Sequence, residues 1–242
     1  TVTVNNITAN NNASMGAEIY NTFLGFTNPK AVKFTGTNYF NNNGSSGLYV
    51  ASHGAVTLNN INANENTSNG VYVNGSFADN NTAHVTLTGK NQINNNGSIN
   101  IFVLTKGGIT ISNLTANSSS AGQGAYLYND YAGTTNGVTI SGTNSFSENA
   151  LGGLVIFSNG AISMTKITAD GSANGSGITA VTYGAITLTC ASVTNNINGY
   201  GVNLSTPLTG TLTGLVGAGN TFGNTFLGGG GTYTQVYGCP LP

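Results

Sequence analysis

A short phrase recurs at a fixed interval along this chain. It reads FNNNGSSGLYV from Phe40, INNNGSINIFV from Ile93 and FSENALGGLVI from Phe146, so its copies start 53 residues apart (93 − 40 and 146 − 93). Repeats at a fixed interval indicate units that stack on their neighbours, because one such unit cannot bury its apolar face alone. The recurrence therefore restricts the chain to a repetitive architecture.

Each 53-residue unit consists of two half-copies of about 22 to 30 residues that follow one plan. A strand such as VTL precedes a short second strand, then Asn, Gly and a strand such as GVYV. Abundant Gly, Asn, Thr and β-branched residues in alternating order exclude helices. We therefore predict an all-β fold, a single right-handed parallel β-helix of about nine coils with three short strands per coil. The coils begin near Thr1, Val32, Ala55, Val85, Ile109, Val138, Ala161, Ala185 and Thr211.

An asparagine or aspartate follows an apolar residue by three positions in eight of these coils. The apolar residues are Ile7, Phe40, Ile61, Ile93, Leu114, Phe146, Ile167 and Val193, and the polar ones are Asn10, Asn43, Asn64, Asn96, Asn117, Asn149, Asp170 and Asn196. Asparagine tolerates left-handed backbone and bonds its own turn, and stacked asparagines bond one another. We predict that these eight residues form one structural ladder that turns the same corner in every coil.

This pattern resembles the right-handed parallel β-helix proteins of the pectate-lyase-like superfamily. It is similar, more narrowly, to the repeats of bacterial surface proteins, adhesins and autotransporter passengers, including polymorphic outer-membrane proteins with FxxN and GGAI repeats. Residues 40–43 and 146–149 match FxxN, whereas residues 160–162 and 184–186 match only the GAI part. The resemblance covers nearly the whole chain but implies architecture alone, since a fold does not determine function.

The composition excludes several classes of protein. Charged residues make up 5% of the chain, whereas ordinary soluble domains contain roughly 25%. Apolar residues at 38% argue against disorder. A net charge of −1, with no arginine, provides no surface for nucleic acid. No run of apolar residues is long enough to span a membrane.

The first residues, TVTVNNITANNN, begin within the repeat pattern, without an initiator Met or a signal peptide. We expect an excised or mature part of an exported protein, at the cell surface or outside the cell. Cys190 and Cys239 could form a disulfide in an oxidising compartment, although two unpaired buried thiols are the alternative. Sequons such as Asn6, Asn113 and Asn203 arise by chance in this composition and say little about glycosylation.

The resemblance implies polysaccharide cleavage as the leading enzymatic possibility. Lyases of that superfamily use clustered aspartates for calcium and an arginine as base, and this chain has no arginine. Hydrolases need paired carboxylates. The acidic residues here are Glu18, Glu65, Asp79, Asp130, Glu148 and Asp170. Few neighbouring coils offer two of them at matching positions, so we interpret them as solvated loop carboxylates.

His53 and His84 each precede a strand and could be neighbours across one coil boundary. Two imidazoles without a nearby carboxylate or thiolate are weak support for a metal site, so surface imidazoles are the simpler interpretation. We therefore expect no catalytic residue, no metal and no cofactor.

Outward strand positions form apolar columns. In GLYV, Leu48 and Val50 are expected in the core, so Tyr49 points outwards. We predict a binding or assembly surface, here called the aromatic stripe, made of Tyr49, Tyr72, Phe102, Tyr126, Tyr128 and Phe157. It could contact another copy of the protein or stack on sugar rings. Alternatively, neighbouring aromatics simply stabilise the parallel strands, with loops such as residues 74–84 folding over them.

The VTL strands expose a second, polar surface. Its outward pairs are Thr57 and Asn59, Thr86 and Thr88, Thr110 and Ser112, Thr139 and Ser141, and Thr187 and Thr189, and Lys33 interrupts them. Threonine rows of this kind occur in solenoids that bind ice, although threonine also favours exposed strands intrinsically. Ice binding is therefore a minor alternative.

We divide the chain into a β-helix, residues 1–227, and a tail, residues 228–242, that begins with GGGG. We expect the tail to cap its own solenoid or to add to a neighbouring subunit. The hypothesis for the whole chain is a non-catalytic structural protein, a surface fibre, filament subunit or adhesin stalk. It would self-associate, end to end or laterally, through open solenoid ends and the aromatic stripe. A carbohydrate-binding or polysaccharide-processing domain is the alternative.

Overall fold

The structure is a computed structural model that describes residues 1–22, 30–77 and 83–236. Within these ranges the chain forms 24 β-strands and no helix. The strands join into one 15-stranded sheet and one nine-stranded sheet, and neighbouring strands run parallel. This confirms the predicted all-β fold built from parallel strands.

The strands are short and recur in a fixed order. They are β1 (Val2–Asn5), β2 (Ala17–Asn21), β3 (Val32–Thr35), β4 (Asn38–Tyr39), β5 (Leu48–Ser52), β6 (Val56–Asn59), β7 (Ile61–Asn62), β8 (Val71–Gly75), β9 (Val85–Thr88), β10 (Asn91–Gln92), β11 (Ile101–Thr105), β12 (Ile109–Ser112), β13 (Leu114–Thr115), β14 (Gln123–Asn129), β15 (Val138–Ser141), β16 (Asn144–Ser145), β17 (Gly152–Ser158), β18 (Ile162–Thr168), β19 (Ile178–Thr182), β20 (Ile186–Thr194), β21 (Val202–Ser205), β22 (Thr209–Ala218), β23 (Thr225–Gly228) and β24 (Thr232–Val236). Most consecutive strands therefore lie on different faces. Most of these strands form their hydrogen bonds with strands of the preceding and following coils.

Three faces run along the stack. The first face contains β1, β3, β6, β9, β12, β15, β18, β20, β22 and β24, and the second contains β4, β7, β10, β13 and β16. The long strands β18, β20 and β22 continue around the corner from the first face to the second. The nine-stranded sheet, β2-β5-β8-β11-β14-β17-β19-β21-β23, is the third face. The described residues therefore make nine coils and begin a tenth with β24, as predicted for a parallel β-helix of about nine coils.

Coil length explains the 53-residue interval. Along the first face the paired residues are Val32, Val56, Val85, Ile109, Val138 and Ile162, which are separated by 24, 29, 24, 29 and 24 residues. A short coil and a long coil together make 53 residues. The recurring phrase therefore marks every second coil, and the long coils have more residues between β8 and β9 and between β14 and β15.

The corner between the first and second faces, the first corner, alternates between asparagine and glycine in the first six coils, before Lys166 and Cys190 occupy the next two. Left-handed φ values occur there at Asn6, Gly36, Asn60, Gly89, Asn113 and Gly142. The Asn60 Oδ1 atom accepts the Lys90 N–H at 2.8 Å, which places this side chain directly over Gly89. A Cβ at Gly89 would come within 2.3 Å of that oxygen. Glycine is therefore required wherever the preceding coil carries asparagine.

The corner between the third face and the next coil, the third corner, contains buried hydroxyl groups. The Thr182 Oγ1 atom donates to the Gly160 carbonyl at 2.6 Å and accepts the Gly184 N–H at 2.9 Å. Thr206 makes the same two contacts with Gly184 and Leu208, at 2.5 and 3.0 Å. These hydroxyl groups satisfy backbone groups that the strands leave unpaired.

The Gly run at residues 228–231 forms the third corner between β23 and β24. Gly229 and Gly230 have φ values of 82° and 78° there. β24 then pairs with β22 of the same chain, from Thr209↔Thr232 to Thr213↔Val236. Residues 232–236 therefore pair with the preceding coil of the same chain, and residues 237–242 lie outside the described residues.

A glycine pair tests the first-corner geometry. Gly89→Ala should lower the free energy of unfolding by about 1–3 kcal/mol, because it adds a collision with Asn60 to the strain of a left-handed φ of 73°. Gly133→Ala is the control, since Gly133 has a φ of 80° but a Cβ added there would meet nothing within 4 Å. Denaturant unfolding should show the larger loss for Gly89→Ala; equal losses would mean that Asn60 does not restrict the corner.

Candidate functional site

A column of mainly amide side chains, the inner ladder, runs along the corner between the second and third faces, the second corner, and is buried from Asn43 to Asn196. Its members are Asn12, Asn43, Asn66, Asn96, Ser119, Asn149, Ser172, Asn196 and Asn220. The Asn66 N–H and Nδ2 both donate to Asn96 Oδ1 at 3.0 Å, and Asn96 Nδ2 donates to the Ala63 carbonyl at 3.0 Å. Asn66 and Asn196 in this way bond both the coil before and the coil after, whereas Asn96 bonds the preceding coil and Asn100 of its own coil.

A column of glycines leaves room for the inner ladder. A Cβ at Gly47, Gly70 or Gly124 would lie within 2.6–2.7 Å of an Nδ2 atom in the next coil, belonging to Asn66, Asn96 and Asn149 respectively. This steric constraint explains why the recurring phrase places glycine soon after asparagine. The glycine is required by the amide of the following coil together with backbone carbonyls, such as those of Phe40 and Gly70 around Gly47.

Asn100 replaces glycine at one rung of this column. In the following coil, Ser119 occupies the ladder position and is too short to continue it. Asn100 bridges the gap, because its Oδ1 accepts Asn96 Nδ2 at 2.8 Å and its Nδ2 donates to Asn149 Oδ1 at 3.2 Å. Asn224 repeats the first of these contacts in the ninth coil, where it accepts Asn220 Nδ2 at 2.9 Å. The sequence shows Asn100 in one coil and Ser119 in the next, but the sequence analysis did not predict that the first compensates for the second.

A second column, the outer ladder, lies two residues before the inner one. Asn94 Nδ2 donates to Asn64 Oδ1 at 3.2 Å, and Asn64 Nδ2 donates to Asn41 Oδ1 at 3.1 Å. Its members are Asn10, Asn41, Asn64, Asn94, Asn117, Ser147 and Asp170. Asp170 accepts the Thr194 N–H at 2.6 Å. The outer ladder is only partly buried, so it is more exposed to water than the inner ladder.

The sequence prediction of one ladder is corrected to two. Asn43, Asn96, Asn149 and Asn196 belong to the inner ladder, whereas Asn10, Asn64, Asn117 and Asp170 belong to the outer ladder. The apolar residues used for alignment are not equivalent, because Asn38 pairs with Ile61 and thus Phe40 lies two residues further along its coil. Counting three residues from each of them therefore alternated between the ladders.

The left-handed residue of the second corner lies between the ladders. Positive φ values occur at Asn11, Asn42, Glu65, Asn95, Ser118, Glu148, Gly171, Asn195 and Gly219, and at none of the eight predicted ladder residues. The tolerance of asparagine for left-handed backbone is therefore used next to the ladder residues and not at them. Their side chains bond between coils, and their neighbours make the bend.

A double-mutant cycle tests the Asn100–Ser119 pairing. Asn100→Gly should lower the unfolding free energy by about 1–3 kcal/mol, because it removes a buried hydrogen-bond partner of Asn96 and Asn149. Ser119→Asn should also destabilise, since its amide would compete with Asn100 for one space. The double variant restores the Gly–Asn pairing of the other coils and should recover stability. Additive losses in denaturant unfolding would contradict the pairing.

The aromatic stripe has the register that the sequence predicts. Tyr49 pairs with Tyr72, Tyr72 with Phe102 and Phe102 with Tyr126, while Tyr128 pairs with Phe157 in the next outward column. Leu48 and Val50 are fully buried. Tyr20, also in the second column, lies beside the stripe and is 63% exposed. The stripe therefore follows the stacking direction of the coils on the third face.

The rings of the stripe pack against one another. Centroids of Tyr49 and Tyr72 are 5.0 Å apart at 64°, those of Tyr72 and Phe102 are 4.8 Å apart at 12°, and those of Phe102 and Tyr126 are 5.3 Å apart at 90°. Burial raises the pKa of Tyr72 and of Tyr126 above the usual tyrosine value. Much of each ring face is therefore already covered by a neighbouring ring, which reduces what remains for stacking on sugars.

The threonine surface also has the predicted register. Thr57 pairs with Thr86, Thr110 with Thr86 and with Thr139, and Thr187 with Thr211. Lys33 pairs with Thr57 and interrupts the column as expected. The column continues through Ser163 and Thr234, which the sequence analysis did not include. Two aligned columns of mainly hydroxyl side chains therefore cover the first face.

The acidic residues lie in separate places. Glu18 accepts the Tyr20 hydroxyl at 2.7 Å, and Glu148 accepts the Ser118 hydroxyl at 3.3 Å. Asp170 belongs to the outer ladder, Glu65 lies at a left-handed corner position, and Asp79 lies outside the described residues. Within the described ranges no group of three His, Cys, Asp or Glu residues could hold a metal ion.

The histidines and cysteines have distinct surroundings. The His53 ring stacks on Phe77 with centroids 6.4 Å apart, whereas His84 Nδ1 accepts the Gly108 N–H at 2.9 Å. Cys190 occupies a first-corner position with a φ of 59° and is disulfide-bonded. Its predicted partner, Cys239, lies outside the described residues, so that pairing stays a prediction.

Comparisons with known proteins do not assign this architecture to a family. No protein-family model, curated protein or solved structure matches the chain. None of the described residues belongs to a helix long and apolar enough to cross a membrane. The described residues form a parallel β-solenoid with two amide ladders and three chemically different faces.

Proposed function

We propose that this chain is a non-catalytic structural protein, a fibre or filament subunit or an adhesin stalk, that associates with other copies of itself. The observation that carries the proposal is the aromatic stripe. It places large rings in line on adjacent coils, on the outside of the third face. Aligned aromatic side chains contribute large contact areas at little entropic cost, and contiguous exposed apolar surface usually marks a contact.

The low charge of the chain supports self-association. The net charge of −1 gives two copies little reason to repel each other, and a net charge near zero favours association. The one carboxylate at the end of the stripe, Glu18, accepts a hydrogen bond from Tyr20. A second copy that covers the rings of the stripe but leaves Glu18 in water would therefore bury no unpaired charge.

Strand edges at the two ends of the stack offer a second route to assembly. In the described part of the chain, β1, β2, β23 and β24 each pair with another strand on one side only. Leu227 on β23 is 38% exposed although its register places it on the inward side. Unpaired edges of this kind favour addition of strands from another copy.

An extracellular or cell-surface location forms part of the proposal. The disulfide bond of Cys190 fits an oxidising compartment. The resemblance of the repeats to those of bacterial surface proteins and adhesins also supports an extracellular or cell-surface location. A fractionation experiment on the source cells, with the chain detected by antibody, would check the location independently of assembly.

Sedimentation velocity and electron microscopy over a range of concentrations test the assembly. The wild-type chain should form assemblies whose fraction rises with concentration. The double variant Tyr72→Thr/Phe102→Thr should stay monomeric, because it removes two central rings while threonine preserves the strand. Tyr39→Thr is the control, since Tyr39 is 41% exposed on the second face.

The outcomes separate the two routes. A wild-type chain that stays monomeric at its highest soluble concentration would overturn the proposal. Assembly of the double variant at wild-type levels would indicate that the copies contact each other through the strand edges and not through the stripe. Thermal unfolding of each variant verifies that the substitutions leave the solenoid folded.

The threonine surface favours ice binding as a second candidate. Its side chains repeat at roughly 4.8 Å between strands and about 6.7 Å along each strand, which gives a regular lattice. Within the described residues, only the Thr35 and Ser112 hydroxyls of these columns donate to protein groups. The remaining hydroxyls are free to bond ordered water, and β-branching holds them in few rotamers.

Thermal hysteresis tests this second candidate. The wild-type chain should depress the freezing point below the melting point, and Thr110→Lys should abolish the effect by placing a hydrated charge in the middle of the lattice. Thr115→Lys, on the second face, should leave it unchanged. Equal freezing and melting points for the wild-type chain would exclude ice binding.

A further inference from the structure

A cleft of about 290 Å³ opens along the third corner, away from the aromatic stripe's central rings. Its lining includes Asp130, Val181, Tyr183, Ser205 and Pro207. These residues come from loops and strand ends of the fifth to eighth coils. The sequence analysis interpreted Asp130 as a solvated loop carboxylate and did not single out Tyr183.

The register gives the direction of the cleft. Asn129 pairs with Ser158 and Ser158 with Thr182, so the residues that directly follow them, Asp130 and Tyr183, are two coils apart. Two strand spacings correspond to about 10 Å. The cleft therefore runs along the stacking direction, and a ligand that contacts both side chains must be extended.

Tyr183 provides an open aromatic face. Its side chain is 66% exposed, and within the described residues no ring packs against it, in contrast to the rings of the stripe. The face of an aromatic ring carries partial negative charge and attracts the polarised C–H groups of a sugar ring. Tyr183 is thus available for stacking where the stripe is largely self-covered.

Asp130 and Ser205 provide unused polar groups. In the described part of the chain neither side chain makes a hydrogen bond with protein, and Asp130 forms no ion pair. The loop that carries Asp130 is held in place, because the Thr134 hydroxyl donates to the Tyr131 carbonyl at 2.9 Å and Asn159 Nδ2 donates to the same oxygen. A carboxylate fixed in this way can accept two hydroxyl hydrogen bonds without reordering the loop.

The charges around the cleft favour an uncharged ligand. Lys106 occupies the position equivalent to Asp130 one coil earlier, since Leu104 pairs with Tyr128. Lys106 is not part of the cleft lining, in which Asp130 is the charged side chain. An anionic ligand would meet the Asp130 carboxylate, and Lys106 one coil away offsets the attraction of that carboxylate for a cation.

We propose that the third-corner cleft binds an extended, uncharged oligosaccharide. One sugar ring stacks on Tyr183, and hydroxyl groups of a neighbouring sugar donate to Asp130 and bond with Ser205. This assigns glycan binding to the third corner rather than to the aromatic stripe, and it does not depend on self-association.

Calorimetric titration tests the site, with cellohexaose, mannohexaose and chitohexaose as neutral probes and hexagalacturonate as the anionic comparison. At least one neutral hexasaccharide should bind the wild-type chain. Tyr183→Ala should weaken that binding about tenfold or more, and Asp130→Asn should weaken it by a smaller factor. Tyr39→Ala, which removes an exposed tyrosine from the second face, should bind as the wild type does.

Three results would overturn the proposal. They are no binding of any neutral hexasaccharide to the folded wild-type chain, unchanged binding by Tyr183→Ala, and tighter binding of hexagalacturonate than of every neutral probe. Repeating the titration on Tyr72→Thr/Phe102→Thr separates the site from assembly. Binding should persist in that variant whether or not the wild-type chain self-associates.

Discussion

The hydrogen bond from one inner-ladder amide to the next is the interaction on which the rest of this structure depends. A coil of 24 to 29 residues bends sharply at its second corner, and the backbone there cannot complete a regular sheet. The amides satisfy those groups. The Asn96 side chain, for example, accepts hydrogen bonds from the Asn66 backbone N–H and side-chain amide, and it donates to the Ala63 carbonyl. Because buried polar groups without partners cost about 1–3 kcal/mol each, a corner without the ladder would oppose stacking.

The same interaction accounts for features that otherwise look like composition bias. Glycines at positions such as 47, 70 and 124 leave space for amides of the following coil. Asn100 appears where Ser119 leaves a gap, so the chain compensates within itself. Most buried polar side chains of the described residues are paired inside, with Asn59 Oδ1, Asn129 Oδ1 and Ser172 Oγ as exceptions. The outward positions are therefore free to differ between faces. Rings, hydroxyl groups and a mixed cleft therefore coexist on one scaffold.

Periodicity in the sequence was sufficient to predict the coils, the inward and outward positions and the register of the stripe. Alternating side chains such as Leu48, Tyr49 and Val50 report these features directly. The two ladders were not separable in this way, because Asn38 replaces an apolar residue at the position of Ile61 and shifts the apparent alignment by two residues. The third-corner cleft was also missed, since it joins Asp130 and Tyr183 across coils of unequal length. Only the register shows which residues are neighbours there.

The two ladders have opposite hydrogen-bond directions. In the inner ladder the bonds between amides of adjacent coils donate towards the following coil, as from Asn43 to Asn66, whereas in the outer ladder Asn64 donates back to Asn41. Their side-chain dipoles therefore oppose each other along the stack. An α-helix accumulates a macrodipole because all its peptide dipoles align. Here the two amide columns tend to cancel, so lengthening the solenoid adds little side-chain polarity at its ends. Such a stack can grow by whole coils without drawing counter-charges to either terminus.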